Sequence, residues 1–98
     1  MSDETSDPKP GRPEVNIKIS DDELKGSYSN LLRIAHTGEE FILDFINLVP
    51  PQGVVTSRII TSPGHLKRII RALQVNLDRY EQQHGQIREA PDPERTVH

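Results

Sequence analysis

One carboxylate stands apart from its surroundings: Asp44 interrupts the apolar run from Phe41 to Ile46. A charge between Ile42 and Ile46 is costly to bury unless it is paired. The strand pairing derived below sets Arg33 diagonal to it, so an Arg33–Asp44 ion pair that fixes register or assembly is the expected role, with ligand binding or catalysis as the alternative. The four histidines are scattered. His36 falls at a hairpin tip, His65 in a first helical turn, His84 at a helix end and His98 in the C-terminal tail, and no two share metal-ligand spacing on one element. His36 with Glu39 and Glu40 could hold a metal weakly, but a solvated hairpin tip is the simpler reading. There is no cysteine, hence no thiolate nucleophile, disulfide or thiolate metal site. Serines lack an adjacent base, and no glycine-rich phosphate loop occurs. No catalytic, cofactor or metal residue is therefore assigned, and the chain is expected to be no enzyme and to need no cofactor.

The remaining chemistry is cationic. Lys67, Arg68 and Arg71 cluster near the start of a helix, where the dipole disfavours cations. Arg58 and Lys25 could extend the patch, and Arg58, Lys67, Arg68 and Arg71 are the candidate anion or nucleic-acid contacts. A single-strand binder also needs exposed rings on which bases stack. Tyr28, Phe41, Phe45 and Tyr80 all fall on the expected core side of sheet or helix, which weakens that reading.

The elements that must position these residues follow from periodicity. Val15, Ile17 and Ile19 alternate with Asn16 and Lys18 as a short edge strand. Further strands run from Ser27 to His36, from Glu40 to Val49 and from Val54 to Thr61; that from Glu40 to Val49 is the most apolar and reads as central. The period then changes from 2 to 3.6. Ser62 is a good N-cap, Pro63 suits the first helical position, and Gly85 stands where a C-terminal cap belongs. Leu66, Ile69, Ile70, Leu73, Leu77 and Tyr80 form one stripe of a helix of about 21 residues. The expected fold is α+β: a four-stranded antiparallel sheet followed by one long C-terminal amphipathic helix (ββββα) over residues 14–86, flanked by disordered tails at 1–13 and 87–98. Five of the eight prolines (Pro8, Pro10, Pro13, Pro91, Pro93) lie in those tails.

Hairpin arithmetic assigns the faces. A two-residue Thr37-Gly38 loop opposes Ile34 to Phe41 and Leu32 to Leu43, and a four-residue loop from Pro50 to Gly53 opposes Phe45 to Arg58 and Leu43 to Ile60. One face, with Tyr28, Leu32, Ile34, Phe41, Leu43, Phe45, Val54 and Ile60, is where the helix should lie. The other carries Leu31, Ala35, Ile42, Ile46, Leu48, Val55 and Ile59, and a register shift by one would exchange these assignments. A single helix covers one face only, and monomers seldom expose so large an apolar patch. Leu31, Ile42, Ile46, Val55 and Ile59 are therefore the candidate interface of a homodimer or higher homo-oligomer. A short chain also buries a small fraction of its surface, which argues the same way.

Lys25-Gly26-Ser27-Tyr28-Ser29-Asn30, Glu40 to Phe45, Ser57-Arg58-Ile59-Ile60, Ser62 to Arg68, Asn76 to Glu81 and His84-Gly85 together resemble the bacterial domain-of-unknown-function family 3467. The resemblance spans about residues 15–87. It implies a small bacterial cytoplasmic protein and supplies no catalytic residue; it marks Asn30, Asp44, Arg58 and Ser62-Pro63 as motif positions. With 12 basic and 15 acidic residues, nothing forces an anionic partner, and no apolar run is long enough to span a bilayer. The expected function is a non-enzymatic, homo-oligomeric binding or adaptor module, with an unidentified protein partner possible; nucleic-acid binding through the basic helix start is the alternative.

Overall fold

A computed structural model describes residues 14–93. The expectations for residues 1–13 and 94–98 lie outside the described residues. The order is α1 (Asp21–Leu24), β1 (Leu31–His36), β2 (Phe41–Val49), β3 (Gln52–Thr61) and α2 (Pro63–His84). The strands form one antiparallel sheet in the order β1-β2-β3. The protein is thus α+β with an antiparallel sheet followed by a C-terminal helix, but the sheet has three strands, not four. Residues 14–20 join no strand, and Val15, Ile17 and Ile19 are exposed. Alternation alone shaped that expectation, and the chain leads instead into α1, one turn capped by the Ser20 hydroxyl, which accepts from Glu23 N at 3.2 Å.

The β1–β2 loop has four residues rather than two. Thr37 closes it: its N–H donates to Glu40 O at 3.0 Å, and its Oγ1 accepts from Glu39 N and Glu40 N at 3.1 and 3.2 Å. The pairing consequently slides by two residues, to Ile34↔Leu43 and Leu32↔Phe45. A slide of two preserves every face. The β2–β3 turn is tighter than expected: Pro50-Pro51, joined by a cis peptide, is the whole loop, and Gln52 and Gly53 belong to β3. Gly53 faces Leu48, whose Cδ1 would lie 3.1 Å from a Cβ at that position.

A register shift at Phe45/Ile46 then matters more than either turn. Ile46 pairs with Val55 but Phe45 pairs with Ser57, so Thr56 is the extra residue, its Oγ1 donating to Phe45 O at 3.0 Å. A bulge of one residue reverses the facing of everything beyond it. Ile59 therefore joins Leu32, Ile34, Phe41, Leu43, Phe45 and Val54, and leaves the expected interface set. Ile60 and Arg58 move to the face of Leu31, Arg33, Ile42, Asp44, Ile46 and Val55.

Helix α2 begins and ends where its signals stand. Ser62 Oγ accepts from His65 N at 3.1 Å, Pro63 opens the helix, and Gly85 closes it at φ 91° with its N–H on Glu81 O. Its placement overturns the expectation that it covers the Phe41–Leu43–Phe45 face. Among the described residues α2 has no buried side chain and meets the sheet only marginally. Leu73 is 66% and Ile70 57% exposed. Only Leu43, Asp44 and Ile46 are buried among the described residues, all on the central strand. Residues 86–92 form no helix or strand, and Ile87 N donates to Glu81 Oε2 at 3.0 Å.

Candidate functional site

The bulge assembles a charged row across the sheet. Asp44 has Arg33 opposite it on β1 and Arg58 opposite it on β3. Arg58 grips the carboxylate in a fork, Nε to Oδ1 at 2.7 Å and Nη2 to Oδ2 at 2.9 Å. Such two-pronged contacts are the strong form of a charge-assisted hydrogen bond. They hold the Asp44 carboxyl below its ordinary value; burial opposes them, and the charges of Arg58 and Arg33 reinforce them. The same contacts raise Arg58, whose side chain stays largely exposed. The expected Arg33–Asp44 ion pair is thus replaced by Asp44–Arg58: Arg33 contributes field across the ladder, while Arg58 makes the bonds. One sign of this lay in the sequence. Val54-Val55-Thr56-Ser57-Arg58-Ile59-Ile60 holds two adjacent apolar pairs around a polar run, which unbroken alternation does not produce.

A second polar device fixes the start of β1. Asn30 Nδ2 donates to Leu48 O at 2.9 Å, while its Oδ1 accepts from Leu48 N at 2.8 Å, so a side-chain amide takes the place of one backbone rung. Asn30 N donates to Ile46 O, and Ser29 Oγ donates to Leu31 O and to Ile46 O. The family resemblance marks Asn30 as a motif position without indicating this clasp.

The other candidates stay apart. His36 lies against Phe41, with ring centroids 5.1 Å apart, and His84 against Tyr80 at 4.6 Å. Among the described residues no three histidine or carboxylate groups come together to hold a metal. Lys67, Arg68 and Arg71 are exposed on the first turns of α2, which carries no acidic residue in its first turn. Arg58 belongs to the sheet and is engaged by Asp44. Of the expected interface, Leu31, Ile42, Ile46 and Val55 share the charged-row face. Ile46 is only 5% exposed within the single chain.

What remains is apolar surface. The opposite sheet face presents Leu32, Ile34, Val54 and Ile59, all substantially exposed, around the half-buried rings of Phe41 and Phe45. The stripe of α2 presents Ile70, Leu73, Leu77 and Tyr80. No helix among the described residues is long and apolar enough to cross a membrane. A family model described as Protein of unknown function (DUF3467) matches residues 1–89. No curated protein and no solved structure matches the chain.

Proposed function

We propose that this chain, which belongs to the DUF3467 family of proteins of unknown function, acts as a non-catalytic, self-associating binding or adaptor module in the bacterial cytoplasm. One observation carries the reading: both the sheet and α2 leave many large apolar side chains exposed, and among the described residues only two apolar side chains, Leu43 and Ile46, are buried, too few to hold a domain together. Surface of this kind is buried against protein in stable assemblies. Sedimentation equilibrium of the full chain tests the proposal: a mass of twice 11.1 kDa or a higher multiple supports it, and a folded monomer at every concentration refutes it.

Nucleic-acid binding is the second reading, favoured by the exposure of Lys67, Arg68 and Arg71 together. A gel shift with single- and double-stranded oligonucleotides, repeated at rising salt, separates the two. Phosphate contacts by these side chains would give binding that falls steeply with salt and is lost in Arg68→Glu.

A further inference from the structure

We propose that two copies of this chain exchange helices: α2 of each lies on the Phe41–Leu43–Phe45 sheet face of the other. The inference rests on the self-associating reading above and specifies which surface meets which. The chain carries two apolar surfaces that leave each other largely uncovered within it, the stripe of α2 and this sheet face. The link between them explains why. β3 ends at Thr61 and α2 starts at Pro63, leaving Ser62 alone as connector. Ser62 precedes a proline and is extended at φ −77°, ψ 156°, so the chain runs on from the strand without turning back. Reversal of a helix over its own sheet ordinarily uses about 2–6 linking residues. A short, stiff hinge of this sort drives an element onto a second copy.

Size and charge agree. A helix of 22 residues is about 33 Å long and 10 Å wide. The nine residues of β2 span about 30 Å, and three strands about 14 Å in width. One helix therefore fills one face. Counting both surfaces of both contacts, such footprints bury about 1,300 Å², above the roughly 1,000 Å² that a specific interface needs. The uncharged face is the suitable one, because the other is crossed by Arg33, Asp44 and Arg58. In α2, four bases (Lys67, Arg68, Arg71, Arg79) against Asp78 and Glu81 give a charge of plus two, while residues 14–62, with seven acids and four bases, carry minus three. Opposite signs favour the meeting of one chain's helix with the other chain's sheet over helix with helix.

The absence of native cysteine makes thiol cross-linking of the full chain clean. Ile34→Cys marks the sheet face, and Leu66→Cys, Leu73→Cys and Tyr80→Cys sample the stripe along its length. Each helix variant is mixed with the sheet variant, exchanged through denaturant and refolding, and treated with a flexible bis-maleimide. Covalent dimers joining position 34 to at least one helix position are expected. Bonds of 34 to the helix found only within doubly substituted single chains would show that α2 folds back, and overturn the exchange. Dimers linked only 66–66, 73–73, 80–80 or 34–34, or a non-covalent dimer yielding no such bond, would overturn it too, while leaving self-association standing. A sedimenting monomer of 11.1 kDa would instead remove the self-associating reading itself. As a variant free of core substitutions, four Gly/Ser residues inserted between Thr61 and Ser62 give the intrachain helix an effective concentration of order millimolar. The dimer dissociation constant is then expected to rise roughly tenfold or more, and an unchanged constant would refute the exchange.

Discussion

Asp44 is the charged side chain that the sheet buries, and Arg58 holds both of its oxygens. Asp44→Asn keeps the shape and removes the charge that the guanidinium needs, so it is expected to lower the melting temperature. Arg58→Gln in the same chain should recover part of the loss, because no uncompensated partner is left. A double-mutant cycle is expected to give clear coupling for Asp44 with Arg58 and weaker coupling for Asp44 with Arg33. Additivity in the first cycle would contradict the geometry. The pair also fixes a pH dependence. The folded carboxyl titrates below its ordinary 3.8, so it takes up its proton at lower pH folded than unfolded. Its contribution is complete well above 3.8 and is lost as pH falls through the depressed folded value. Melting curves of the native chain and Asp44→Asn should therefore differ most near neutrality and converge in acid.

Helix α2 was the element most legible in the sequence, because Ser62, Pro63 and Gly85 are local signals that act whatever the rest of the chain does. Removing the Ser62 hydroxyl leaves His65 N–H without its acceptor, and Ser62→Ala is expected to cost about 1 kcal/mol in chemical denaturation. The strands of the sheet were legible too, and the faces of β1, β2 and the start of β3 follow from alternation alone. Three things were not, and the first is the edge strand expected over Val15 to Ile19, whose alternation joins no sheet. The bulge at Thr56 is a single residue whose effect is nonlocal: it leaves Val54 and Val55 as expected and reverses Ser57 to Ile60, which is why Arg58 was placed away from Asp44 and Ile59 on the wrong face. Thr56→Val removes the hydroxyl that donates to Phe45 O and should destabilise the sheet, read as an earlier unfolding midpoint in urea. The position of α2 escaped the sequence for a different reason. Periodicity tells which side of a helix is apolar, but not which chain supplies the surface it covers.

For the molecule as a whole, uncovered area sets the behaviour. Lysine at Ile34 or Leu73 puts a charge into a surface that association would bury, and each variant is expected to lose mass in sedimentation or to aggregate. Val75→Lys, on the far side of α2 from the stripe, is expected to sediment like the unmodified chain. Ile46 is less informative for this purpose, because its burial within the single chain would make a lysine there disturb the fold as well. The order β1-β2-β3 has one more consequence, which concerns shelf life rather than architecture. Both outer strands present a row of backbone donors and acceptors to any extended peptide that approaches, the template from which fibrils grow. Each outer strand also carries one arginine, Arg33 or Arg58, flanking the single carboxylate between them, and β3 is kinked by Thr56. Stacked edge to edge, two sheets would set arginine beside arginine with no carboxylate to spare. The charged row thus doubles as a guard against runaway polymerisation, and Arg33→Val should shorten the lag before thioflavin fluorescence rises in a concentrated, stirred solution.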